Sequence, residues 1–198
     1  MTRKTRIFAL NRALKKLFPT AAIELRFKNP FELLVAVQLS AQCTDKMVNK
    51  ITLKLFKKYK KLGDYTQANP REFEQDIKSS GFYRNKTKNI LGAAKMIKKE
   101  FGGEVPNTMT EMLRLPGVAR KTANVVLIEA YGVVVGIPVD THVIRFVQRF
   151  DLSDYKDPVK IEKDLMELLP KREWKNFTHR VIHYGRHVRR QKNHNLLY

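Results

Sequence analysis

Cysteine and acid are what this sequence has least of. Cys43 is the only cysteine in 198 residues, which excludes an intramolecular disulfide and any zinc or iron–sulfur site built from four cysteines of this chain. Aspartate and glutamate total 19 against 39 lysines and arginines, for a formal net charge of +20 and a pI near 10.1. Surface ion-pair networks of the thermophilic kind would carry Glu in step with Lys. The imbalance points instead to polyanionic partners, with nucleic acid ahead of a membrane surface. Long apolar runs are also missing. The longest, Val125 to Val139, is broken by Glu129, Gly132, Gly136 and Pro138, and it falls short of the roughly 20 apolar residues of a spanning helix. Residues 1–18 are basic, but Asn11, Arg12 and Lys15 interrupt any apolar leader core and no small-residue cleavage site follows. The expected location is the cytoplasm, and the nucleoid if the source is bacterial.

What is present is a hydrophobic fraction of 43%, enough for one globular unit or two small lobes. Apolar residues recur at three- and four-residue spacing and hardly ever alternate, so the expected class is all-α. Asn29-Pro30 opens a helix through FELLVAVQLSA, and Thr44 caps the next, whose buried stripe is Met47, Val48, Ile51, Leu55 and Phe56. Pro70 opens PREFEQDIKSS, which Gly81 ends. A long helix follows Phe82 and Tyr83 as far as Phe101, lysine-rich on one face. Thr110 begins a short helix ending at Leu115, and Pro116-Gly117-Val118 turns tightly into a helix from about Ala119 to Tyr131. Residues 132–139 read as extended, and Asp140 is a candidate N-cap with Val139 and Ile144 placed as a hydrophobic staple. Two further helices cover KIEKDLMELL and REWKNFTHRVIHYGRHVRR.

The stretch Leu115 to Asn124 holds the most chemistry. A glycine turn that opens a helix presents backbone N–H groups to a phosphate. Gly117 lets the backbone approach a nucleic-acid strand closely, and Arg120 adds sequence-independent attraction. Lys121 emerges at the mouth of a helix that is apolar on nearly all sides. The positive end of the helix dipole and partial burial both disfavour its charged form. A neutral amine there is a nucleophile able to attack a sugar C1′ and form a Schiff base. Asp140, in Val139-Asp-Thr141-His142, reads first as a cap. An acid there can also stabilise positive charge on a sugar as its base departs.

LPGVARKTANVVL followed by PVDTHVIRF resembles the helix-hairpin-helix DNA glycosylases, specifically their endonuclease III branch. NPFELLVAVQLSAQCTDKMVNK, GFYRNKTKNI and GEVPNTMTEMLRLPGV extend the resemblance over roughly residues 25 to 190. It implies a two-lobed fold, with a six-helix lobe over 24–135 and a second lobe of residues 1–23 plus 136–198. It also implies a bifunctional enzyme that flips an oxidised pyrimidine out of duplex DNA, cuts the glycosidic bond and cleaves the strand by β-elimination. Lys121 then matches the Schiff-base lysine and Asp140 the catalytic aspartate. Gln42 matches the residue that fills the gap left by the flipped base, and Phe82 the apolar wedge. The hairpin residues Leu115, Gly117, Ala119 and Arg120 match the family's phosphate grip. Thr141, His142 and Arg186 are further DNA-binding candidates, and Asp45 matches a position near the active site.

The sequence departs from the family pattern in two places. Ala119 replaces a frequent second glycine of the hairpin. Arg189 stands where the first of four cysteines holding the family's [4Fe–4S] cluster would be, so no cofactor is expected, and Arg186, Arg189, Arg190 and Lys192 substitute electrostatically. His179, His183 and His187 share one helix face, but three turns of one helix cannot wrap a small ion, and no metal is expected. The expected partner is double-stranded DNA carrying a damaged base or an abasic site, and a monomer suffices for the chemistry. Two readings compete with the lyase. A monofunctional mismatch glycosylase for adenine, uracil or thymine would have little use for Lys121, and a noncatalytic abasic-site binder would need neither Lys121 nor Asp140.

Overall fold

The computed structural model describes residues 1–191, with side chains as far as His187. Regular structure among the described residues is helical throughout. The helices are α1 (Arg3–Leu17), α2 (Pro30–Leu39), α3 (Asp45–Lys58), α4 (Leu62–Gln67), α5 (Pro70–Asp76), α6 (Tyr83–Glu100), α7 (Met109–Met112), α8 (Arg120–Tyr131), α9 (Thr141–Arg149), α10 (Pro158–Leu168) and α11 (Lys171–Gln191), with a 3-10 turn at Lys78–Ser80. None is long and apolar enough to cross a membrane among the described residues. The chain separates into two compact units, residues 24–133 and residues 1–23 with 134–198.

Unit 24–133 is organised by two helices that are apolar on most sides. Residues 33–39 of α2 are all buried, as are residues 123–128 of α8, and the two helices pack against each other. Gln38 is the polar exception in α2, and its Nε2 donates to the Pro116 carbonyl at 2.9 Å, tying α2 to the hairpin ahead of α8. α6 lies against α2, α4 and α5, burying Ile90, Leu91, Ala94 and Ile97 as their spacing predicts.

Three local features differ from the pattern in the sequence. α4 is not signalled by periodicity, because LGDYTQ is a single turn and a half with one large apolar anchor. Asp64 Oδ2 accepts from the N–H groups of Lys60 and Lys61, and fully buried Tyr65 packs on the rings of Phe31, Tyr59 and Phe73. The helix opened by Pro70 stops at Asp76 and continues as the separate 3-10 turn, because Ile77 is drawn fully into the core at the break. The short helix ahead of the hairpin starts at Met109, with Thr108 rather than Thr110 as its cap.

The other unit joins α1 to α9, α10 and α11. Its core holds Ile7, Leu10 and Leu14 from α1 with Val143, Phe146 and Val147 from α9, Ile161 and Leu165 from α10, and Phe177, Val181 and Tyr184 from α11. A polar cluster is set into it. Glu173, nearly buried, accepts from Lys15 Nζ at 2.5 Å, Asn11 Nδ2 at 3.1 Å and Arg180 Nη1 at 3.2 Å. Burial by itself would raise the Glu173 carboxyl, but the donors around it hold its pKa below the usual value. Because the folded state favours the ionised form, this group stabilises the protein above the ordinary glutamate pKa, and the contribution fades as pH falls through the depressed value. Glu173→Gln leaves Arg180 buried without its counter-charge and is expected to cost about 3 kcal/mol at neutral pH. Urea denaturation across the acid range checks this, with the gap between variant and parent closing as Glu173 protonates.

Candidate active site

The hairpin between α7 and α8 is a tightly closed turn. Leu115 donates its N–H to Met112 and accepts from Val118, while the Leu115 and Val118 side chains are buried. Leu115 therefore shapes the turn and offers no side chain outward. Gly117 has φ +72°, and a Cβ there would lie 2.7 Å from Asn89 Cβ on α6. Its lack of a side chain is thus demanded from within the unit, in addition to the close approach expected from the sequence. Ala119 takes the N-cap with φ −94°, ordinary extended backbone that alanine adopts without strain. It brings no side-chain acceptor to the first turn of α8, so an anion from outside the chain suits that position. Arg120 and Lys121 open the helix, both half-buried, at the point where the chain passes from solvent into the core.

Gln42 and Phe82 lie in the same unit as the hairpin. Both are exposed, Phe82 to 67%, which removes it from the core. With Asp151 they are the non-glycine residues at positive φ among the described residues, Gln42 at +53° and Phe82 at +47°. Left-handed backbone is costly for side chains of this size and collects at functional positions. Asp45 is the first residue of α3, half-buried, with Thr44 as its cap accepting from Met47 N–H at 3.3 Å. A carboxylate there also complements the helix dipole.

In the other unit Asp140 caps α9, its Oδ1 accepting from the N–H groups of His142 at 2.8 Å and Val143 at 3.0 Å. Both bonds use one oxygen, so Oδ2 takes part in neither. Thr141 is exposed and its carbonyl accepts from Arg145 Nε. His142 packs against α11 so closely that a Cβ at Gly185 would run into Nδ1, and Arg186 follows, half-buried. No residue pattern signals this fit, nor the presence of Asn89 beneath Gly117. The rings of His183 and His187 pack on Phe18, and no three metal-ligating side chains converge among the described residues. Arg189 and Arg190 lie beyond the described side chains, and Lys192 beyond the described residues.

A four-cysteine cluster does not fit this donor set. The one cysteine, Cys43, sits between α2 and α3 in unit 24–133.

A glycine hairpin opening a buried helix, among described residues that are helical throughout, defines a helix-hairpin-helix fold. Residues 35–171 match the HhH-GPD superfamily of base excision DNA repair proteins. The chain is 50% identical to Endonuclease III of Synechocystis sp. (strain ATCC 27184 / PCC 6803 / Kazusa) over 187 residues, covering 94% of this chain and 85% of the relative. It is 52% identical to Endonuclease III of Bacillus subtilis (strain 168) over 172 residues, covering 86% and 78%. Among solved structures it is similar to a trapped Endonuclease III–DNA covalent intermediate, an estranged-adenine complex, at TM-score 0.91 and 47% identity, covering 94% of this chain and 88% of that one. The chain belongs to the endonuclease III branch of the HhH-GPD superfamily, without the branch's cluster cysteines in its 198 residues.

Gly117→Ala is expected to destabilise the protein by about 1–3 kcal/mol, from the forced left-handed alanine and the clash with Asn89. Adding Asn89→Gly, which removes Cβ as well, should recover the steric part and leave the backbone part once the cost of Asn89→Gly alone is subtracted. Denaturant midpoints of the single and double variants measure the two.

Proposed function

We propose that this chain is a bifunctional DNA glycosylase and abasic-site lyase that removes oxidised pyrimidines from duplex DNA. The observation that carries the reading is Lys121, half-buried at the mouth of a buried helix immediately after the hairpin, in a chain 47% identical to a protein trapped covalently on DNA.

In this reading the Lys121 amine attacks C1′ of the extruded nucleotide and gives up a proton as the new C–N bond forms. The glycosidic bond breaks, its electron pair leaves with the base, and the base takes up a proton. Opening of the sugar ring gives a Schiff base between Nζ and C1′. Loss of the C2′ proton then expels the 3′-phosphate by β-elimination, and water releases the lysine. Asp140 supplies negative charge as positive charge develops on the sugar, and its cap bonds fix the carboxylate so that nothing reorganises during the reaction. Gln42 occupies the gap in the stack and Phe82 wedges the step open. The hairpin from Leu115 to Arg120 holds phosphates, joined by Thr141, His142 and Arg186, and Asp45 stands near the reacting nucleotide. A monomer acting in the cytoplasm on duplex DNA with a damaged base or an abasic site meets these requirements, and no cofactor enters the chemistry.

Borohydride trapping on duplex DNA with an abasic site or an oxidised thymine tests the mechanism. A covalent complex is expected from the parent and none from Lys121→Ala, whose stability should stay within about 0.5 kcal/mol because that side chain is not in the core. Base release without trapping would instead establish a monofunctional glycosylase. Tight binding with neither reaction would leave an abasic-site binder.

Phe82→Ala should leave the unfolding midpoint unchanged, since the ring is mostly in solvent. It should lower the rate on duplex DNA by about tenfold, through loss of a wedge that offsets part of the unstacking cost. Single-turnover kinetics beside a melting curve separate the two effects.

A further inference from the structure

Lys86 stands apart from the other lysines of α6. The basic face of that helix reads as solvated, yet Lys86 is only 5% exposed. Its ammonium donates to two main-chain carbonyls, Leu39 O at 2.8 Å and Ser80 O at 2.8 Å. Leu39 is the last residue of α2 and Ser80 the last of the 3-10 turn. One buried cation therefore closes the carbonyl ends of two helical segments that are 41 residues apart in sequence, where the helical dipoles favour positive charge. Burial lowers the Lys86 pKa below the ordinary lysine value. A cation held against that cost by two carbonyl groups, with Cys43 favouring its charge nearby, does more than fill space.

Each tethered carbonyl lies just ahead of an exposed side chain assigned to the base stack. Three residues beyond Leu39 is Gln42, and two residues beyond Ser80 is Phe82. Both are exposed and both have left-handed backbone. Two short connections that each end in a strained, solvent-facing side chain are thus anchored to one ammonium. Two independent surface loops would give a fluctuating distance between their tips. A shared buried anchor fixes it, and insertion into a base stack requires a fixed distance, because successive steps leave little tolerance.

We propose that Lys86 is a positioning residue that sets the spacing of Gln42 and Phe82 for entry into duplex DNA. The proposal rests on the reading that these two side chains occupy the opened stack. Lys86 touches neither the sugar nor the base, so its influence is confined to substrates whose stack has to be opened.

Lys86→Met, of similar length and without the charge, is the direct test, with Lys86→Gln as a second variant that keeps a polar head. Folding is checked by thermal unfolding. Nitroxide labels at Gln42→Cys and Phe82→Cys in a Cys43→Ser background report the distance between the tips by pulsed electron resonance without DNA, and the distribution should broaden in either Lys86 variant. Strand cleavage at an abasic site should fall about tenfold in duplex DNA and stay within about twofold in single-stranded DNA, which has no stack to open. Adding Lys86→Met to Gln42→Ala plus Phe82→Ala should cost nothing further. A label distance unchanged in a folded variant overturns the proposal, as does an equal loss on duplex and single-stranded DNA or a full additional loss in the triple variant. If Gln42→Ala plus Phe82→Ala cleaves duplex DNA as fast as the parent, the insertion reading itself fails and the role given to Lys86 fails with it. The label distances then still show whether the clamp holds.

Discussion

A helix buried on nearly every side can offer chemistry only at its ends, and this constraint governs unit 24–133. α2 and α8 hold one another in the core through residues that have almost no solvent contact. Neither has a polar face from which to present a side chain. The polar side chains are therefore displaced to the N-terminal end of α8, where Arg120 and Lys121 open the helix, and to the connection that leaves the C-terminal end of α2, which carries Gln42. The polar bonds of the region obey the same plan. Gln38 reaches from α2 to the Pro116 carbonyl, and Lys86 reaches from α6 to the Leu39 carbonyl. Each satisfies a main-chain group where a helix or turn ends, and main-chain groups left unpaired in a core are costly. The rigidity that catalysis requires is in this way a by-product of completing the hydrogen bonding of helix ends.

The helices are legible in the sequence wherever a stripe of apolar residues repeats over two or more turns. α6, α8 and α9 begin and end within a residue or so of where spacing and caps put them, and the Asp140 cap is present with both of its bonds. α4 is not legible, since its stability comes from Tyr65 packing on rings far away in sequence rather than from any local pattern. The break after Asp76 has a similar origin, because the burial of Ile77 is decided by tertiary packing.

The site divides along the same line. The hairpin, Lys121 and the Asp140 cap come from residue types in order, and Gln42 and Phe82 from the resemblance to a family. No linear pattern supplies the backbone state at Gln42 and Phe82, the burial of Lys86 among five other lysines and arginines on its own helix, or the close fits of Gly117 on Asn89 and Gly185 on His142. Each depends on which atoms meet across a distance in sequence. A lysine in a strongly basic chain is the residue whose burial composition hides best.

The unit that contains Asp140 is assembled from both ends of the chain, and Asn11 lies 162 residues from its partner Glu173. During synthesis the two units therefore become ready at different times. Residues 24–133 hold all the helices of their core once they have left the ribosome. α1, made first, has no partner until α9, α10 and α11 emerge, and until then its apolar stripe of Ile7, Leu10 and Leu14 stays uncovered. The carboxylate assigned to the chemistry is thus set in the part of the molecule that folds last. A ribosome-bound or truncated chain carries the hairpin and Lys121 well before it carries an ordered Asp140, so the residue read as the nucleophile precedes its acidic companion in the order of birth.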